Sequence, residues 1–94
     1  GCLDFELRQR GLQVECQKPL VLEYRGHDMG IGYRLDLLVN GCVVVELKAV
    51  HEMTALHEAQ LLSYLKLGSF KLGYLLNFNV RRMKDGMRRM VNRL

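Results

Sequence analysis

A chain of 94 residues has room for one small domain with one core and buries only about 60–65% of its unfolded surface, which leaves its stability dependent on capping, on pairing with a second copy, or on a further N-terminal segment. With 49% hydrophobic and 26% charged residues, the composition excludes disordered and fibrous classes. No apolar run approaches the roughly 18 residues that span a bilayer, and no secretory leader opens the chain, so a cytoplasmic protein is expected.

In chain order, Cys2 to Arg10 reads as the end of a helix. Leu3 and Leu7 share one face, Glu6 and Arg10 form an exposed i,i+4 pair, and Gly11 is the expected stop. Leu12 to Tyr24 alternates as a strand or two short strands, with Pro19 at a bend or on an edge. Arg25 to Gly32 carries Gly26, Gly30 and Gly32 and reads as a loop with no phosphate-cradling pattern.

Arg34 to Lys48 is the centre of the sequence. Two apolar runs flank Asn40-Gly41, a strong hairpin signal, yet Asp36, Glu46 and Lys48 interrupt them. Charge within such strands must be paired, neutralised or bound to metal. Glu46 and Lys48 are two apart and share a face. A two-residue turn would set Asp36 opposite Val45, on the wrong face. A three-residue loop over Val39, Asn40 and Gly41 sets it opposite Val44 and diagonal to Glu46, so a shared site predicts that loop or a bulge near Asp36.

Further along, Thr54 is the expected N-cap of a helix running to about Leu67 and ended by Gly68. On it, His57, Gln60 and Tyr64 fall in one stripe. Phe70 to Asn79 reads as a buried strand and Lys84 to Met87 as a turn, while Met87 to Leu94 fits either a strand or a terminal helix. Six basic residues (Arg81, Arg82, Lys84, Arg88, Arg89 and Arg93) face one acid, Asp85, from position 81 onward, giving +5 in a chain of net +4. A basic end suits a polyanionic partner, since neutralising phosphates supplies most sequence-independent nucleic-acid affinity; a solvated tail serving solubility is the plain alternative. Cys2, Cys16 and Cys42, odd in number and without a CxxC, argue against a disulfide framework or zinc site and predict buried free thiols.

Asp36, nine intervening residues and Glu46-Leu47-Lys48 resemble the D…(D/E)XK signature of the PD-(D/E)XK nuclease-like superfamily. Together with Leu7–Leu12, Tyr24-Arg25-Gly26, Arg34–Val39, Val45–Val50, His57–Leu65 and Gly73–Phe78, the set is similar to the small bacterial and archaeal GxxExxY proteins. The glutamate motif that names that family would lie just upstream of Gly1, so the chain reads as a single nuclease-like domain, 1–94, lacking the start of its N-terminal helix. Gln60-x-x-x-Tyr64 resembles the QxxxY of RecB-like members, where the pair helps position the site and DNA. The resemblance implies an α/β fold with a restriction-endonuclease-like core, a mixed β-sheet flanked by helices.

The residue types suit phosphodiester hydrolysis. Asp36 and Glu46 are hard oxygen ligands for Mg²⁺ or Mn²⁺, with the Leu47 backbone carbonyl as a third. Lys48 would hold the attacking water or neutralise the transition state, and Arg81, Arg82, Lys84, Arg88 and Arg89 would hold nucleic acid, DNA ahead of RNA. A homodimer is compatible with so small a domain. Two alternatives stand beside this nuclease: a catalytically silent nucleic-acid- or partner-binding module of the same fold, and a chain active only once an upstream acid or second subunit completes its site.

Overall fold

A computed structural model of the protein describes residues 2–24, 27–79 and 86–93, with the backbone alone at 2, 21–24 and 27–32. The sheet grows outward from the Asn40–Gly41 turn. Asn40 (φ 51°) and Gly41 (φ 68°) both occupy the left-handed region, which asparagine tolerates and glycine adopts without strain. The Cys42 N–H closes the turn on the Val39 carbonyl at 3.1 Å. Beyond it Val39 pairs with Val43, Leu38 with Val44 and Leu37 with Val45. The loop therefore has three residues, Asn40 to Cys42, one position later than the sequence suggested. Cys42 is the extra residue, and continuing the register one step sets Asp36 across from Glu46 rather than diagonal to it.

Around this hairpin the elements run α1 (Cys2–Gln9), β1 (Val14–Tyr24), β2 (His27–Val39), β3 (Val43–Lys48), α2 (Ala55–Gly68), β4 (Leu72–Asn77) and β5 (Met87–Val91). The five strands lie in sheet order β1-β2-β3-β4-β5. All neighbours are antiparallel except β3 and β4, which run parallel through the α2 crossover. The mixed sheet flanked by helices is the expected one. Pro19 sits in the edge strand β1, opposite Arg34, as a residue without an N–H should. The stretch before Gly32 is not a loop: the backbone from His27 pairs with β1, the cross-strand ladder overriding the glycine signal. The terminal segment resolves as strand β5.

Two cores lie on opposite sheet faces. On one, Leu61, Tyr64 and Leu65 of α2 pack on Leu35, Leu38, Val44 and Leu75. Gly73 admits this close approach, because a Cβ there would meet Leu65 Cδ2 at 3.0 Å and Leu61 Cδ1 at 3.2 Å. On the other, Leu3 and Leu7 of α1 cover Leu37, Val39, Val45, Leu47 and Leu76. Among the described residues an i,i+4 ion pair along α1 joins Asp4 to Arg8, at 3.2 Å; Gly11, at φ 82°, follows the helix end.

The split of core residues exposes a slip in the pleat. Leu35 and Leu37 are two apart and would share a face in a regular strand, yet Leu35 packs under α2 and Leu37 under α1. The slip falls at Asp36. β1 slips alongside it, since Val14 belongs to the α1 core and Leu20 to the α2 core, with Gln17 between them at φ 52°. The register is preserved on either side, Cys16 with Leu37 and Lys18 with Leu35. Cys16 and Cys42 are free as expected but exposed rather than buried, one on the edge strand and one in the hairpin loop; the Cys2 side chain is outside the described residues. Among the described residues no helix is long and apolar enough to cross a membrane.

Candidate active site

The two middle strands separate where the carboxylates meet. Backbone pairing between β2 and β3 ends at Leu37 and Val45, and side chains take over. The Asp36 N–H donates to Glu46 Oε1 at 3.3 Å, and the Leu47 N–H donates to Asp36 Oδ2 at 2.8 Å. Each carboxylate thus stands in for a backbone partner of the opposite strand. Because a strand residue's N–H and C=O leave on the same side, the Leu47 carbonyl is turned toward the same gap.

Glu46 is only 5% exposed. Burial, and next the charge of Asp36, push its carboxyl from an ordinary 4.5 up to about 7, against the lowering effect of Lys48. Two carboxylates this close disfavour double ionisation, and either a proton or a divalent cation relieves the repulsion. The donor set, all oxygen and partly buried, fits a hard divalent ion. Among the described residues, however, no group of three or more His, Cys, Asp or Glu side chains could hold one.

Alternation from Val44 and Val45 puts Glu46 and Lys48 on the α2 face. There Tyr64 is buried at 8% exposure; burial first, then the charges of Glu46, Tyr33 and Asp36, raise its phenol, while hydrogen bonding with Gln60 works in the opposite direction. Tyr64 therefore stays a protonated O–H within electrostatic reach of both carboxylates. Lys48, Gln60, His57 and Ser63 line a cleft of about 460 Å³ alongside. His57 has a structural task as well: its Nδ1 accepts the Thr54 N–H at 3.0 Å, fixing the start of α2 just as an N3 side chain reaches back in a capping box. Thr54 is the N-cap anticipated, whereas Ser69 (φ 57°) rather than Gly68 forms the C-cap.

The structure thus brings together Asp36, Glu46, Leu47, Lys48, Gln60 and Tyr64. It does not bring Arg88 and Arg89 to them. Arg88 aligns with Leu75, and Leu75 with Glu46, but its guanidinium pairs with Glu58 Oε1 at 3.7 Å, and Glu58 lies about 200° around the helix from Gln60. Arg89, paired with Tyr74, faces the α1 side. Arg81, Arg82 and Lys84 lie outside the described residues, as do Arg25 and Gly26.

Three contributors were missed in the sequence. Tyr33 packs against Tyr64 with ring centroids 4.6 Å apart and the planes tilted by 49°. Asn77, 2% exposed, donates from Nδ2 to the Val50 carbonyl at 2.9 Å and accepts the Val50 N–H at 3.1 Å through Oδ1, clamping the chain just after Lys48. A polar residue inside the apolar run Leu72–Phe78 was the available signal. The third, Phe78, projects beside Asp36 and Leu47 into a cleft on the α1 face.

The fold and this gap define a nuclease-like α/β domain. A family model described as the PD-(D/E)XK nuclease superfamily matches residues 1–90, and the chain belongs to that superfamily. A search of curated proteins returns no match, and neither does a search of solved structures.

Proposed function

We propose that the protein is a metal-dependent nuclease that hydrolyses phosphodiester bonds, DNA ahead of RNA, and that within its superfamily it sits with the GxxExxY proteins on the segments quoted above. The observation that carries this reading is the opening of the β2–β3 ladder at Asp36 and Glu46, with Lys48 on the same face as Glu46.

Asp36, Glu46 and the Leu47 carbonyl would hold Mg²⁺ or Mn²⁺, which when bound would acidify a water and polarise the phosphate. The chain's own residues do the rest. Leu47 N–H and Asp36 N–H fix the two carboxylates, so little reorganisation accompanies binding. Lys48 offers a cation to the charge that develops on the phosphate. Tyr64, neutral and a donor, and Gln60 at the cleft wall orient a phosphate oxygen. Arg81, Arg82, Lys84, Arg88 and Arg89 would add non-specific affinity for the strand at a distance from the gap.

A second reading has its own support. With no third side-chain ligand among the described residues, the chain could bind nucleic acid or a protein partner without cutting, or cut only when another acid or a second subunit joins the site. Calorimetry with Mg²⁺ and Mn²⁺, run beside cleavage assays on single-stranded, duplex and branched DNA and RNA, separates these. Metal binding and cleavage in the wild type, both lost in Asp36→Ala and Glu46→Ala, are expected. Binding without cleavage selects the incomplete site, and no binding at millimolar metal rejects the nuclease.

A further inference from the structure

Two clefts flank the strands that carry the carboxylates, one on each face of the sheet, and only one of the two has a role so far; Asp36 lines the one on the α1 face. On the α2 side lies the cleft with Lys48 and Gln60. On the α1 side lies a second cleft of about 560 Å³, walled by Leu3, Leu37 and Leu47, with Asp4, Gln17 and Asp36 as its polar groups and Phe78 at its edge. That volume falls within the range of small-molecule sites.

Phe78 is the unusual member. Its backbone is pinned, with its N–H donating to the Lys48 carbonyl at 2.8 Å and its neighbour Asn77 buried and hydrogen-bonded to Val50 and Asn79. Yet the residue as a whole is 48% exposed, although the apolar α1 core lies beside it. A pinned chain that leaves an aromatic residue half open to solvent at a cleft offers a preorganised stacking surface. The opposite wall is set by the irregularity described above: the positive φ of Gln17 and the pleat slip at Asp36 bring these two polar side chains to the cleft. The Asp4 carboxylate there is already paired with Arg8 at 3.2 Å, so it presents an acceptor whose charge is partly offset. A flat apolar surface with amide and carboxylate groups at its margin matches a nucleobase, which stacks by its face and hydrogen-bonds by its edge.

We propose that this cleft holds one nucleobase of an unpaired nucleic-acid strand, stacked on Phe78, whose neighbouring phosphate lies at Asp36 and Glu46. The inference rests on the nuclease reading of that pair and adds a substrate class to it. A base inside a duplex has its faces and Watson–Crick edge occupied, so the cleft selects single strands or a base turned out of the helix.

The test uses the full chain with Ca²⁺, which takes the same oxygen ligands, and a short single-stranded oligonucleotide carrying 2-aminopurine. Affinity and fluorescence are compared with those of a duplex and of a strand abasic at the probed position. The wild type should bind the base-bearing strand about ten-fold more tightly than the abasic one, as expected of one base on one aromatic ring, and should alter the 2-aminopurine signal. Phe78→Ala should erase both differences. So should Phe78→Leu, which keeps apolar contact without a π face and guards against misreading a folding defect. Phe78→Tyr should restore them. If Phe78→Ala and Phe78→Leu keep wild-type discrimination, or the duplex binds as tightly as the single strand, the cleft assignment fails while the nuclease reading stands. If the wild type binds no nucleic acid of any form, both fail together.

Discussion

The two ends of the central hairpin are built from the same strands and behave as opposites. At the closed end every step from Leu37 to Val45 is backbone on backbone, and the turn is sealed by Cys42 N–H to Val39 O and Asn40 N–H to Gln13 O, at 3.1 and 2.7 Å. At the open end two backbone N–H groups donate instead to carboxylates. The closed end spends its polar groups on itself. The open end leaves side-chain oxygens and a lysine facing a gap, held in place by bonds that a regular ladder would have used for pairing. Under the proposed function, chemistry here would come from incomplete pairing, with the turn nearby supplying the rigidity that makes incompleteness tolerable.

The largest separation between the ends should come from Lys48→Ala. Turnover is expected to fall about 10²–10³-fold, the usual cost of removing one preorganised group from a developing charge, with metal affinity from calorimetry nearly unchanged and the thermal midpoint close to wild type. Full activity in that variant would remove Lys48 from the mechanism. At the other end, Gly41→Val forces a β-branched residue to φ 68° and should cost about 1–3 kcal/mol of stability. The catalytic rate per folded molecule should persist, as read by denaturant titration beside an active-site count.

The finest test is pH. In the metal-free protein Glu46 titrates near 7 instead of 4.5, so between those values the folded state holds a proton that the unfolded chain has released. Stability should therefore fall as pH rises from about 4.5 to about 7 and level off above it. Glu46→Gln should flatten that slope in thermal melts run with chelator. Under the proposed function a bound metal would displace the same proton, so divalent-ion affinity should weaken as pH drops below 7.

Much of this arrangement could be read from residue order alone. Asp36, Glu46 and Lys48 stood out because charge inside apolar strands is costly, and the requirement that the carboxylates share a site correctly demanded a three-residue loop or a bulge. The placement of that loop escaped, because whether Val39 or Cys42 is the third residue changes no local propensity and depends on which strand partners pack. Gly30 and Gly32 were misleading for a similar reason: pairing with β1 outweighs their weak strand preference. Nothing in the sequence marks Gln17 as the residue that leaves the strand region, since its side chain has no special liking for positive φ. Phe78 was legible as apolar but not as exposed, because exposure belongs to the end of a strand, and that end is fixed only once β4 has its neighbours.

The two margins of the sheet carry a consequence for how the molecule coexists with copies of itself. An open five-stranded sheet presents two rows of unsatisfied backbone groups, the usual template for runaway edge-to-edge association. On β1 that template is broken twice, by Pro19, which has no N–H to offer, and by the Gln17 irregularity. On β5 it is limited to five residues, with the exposed charges of Arg88 and Arg89 in the middle. Whatever else those arginines hold, they deter a second sheet from zipping onto this one. A concentrated preparation should owe its colloidal behaviour to these few positions, and replacing Pro19 and both arginines with threonine should show up as aggregation in light scattering before any change in fold.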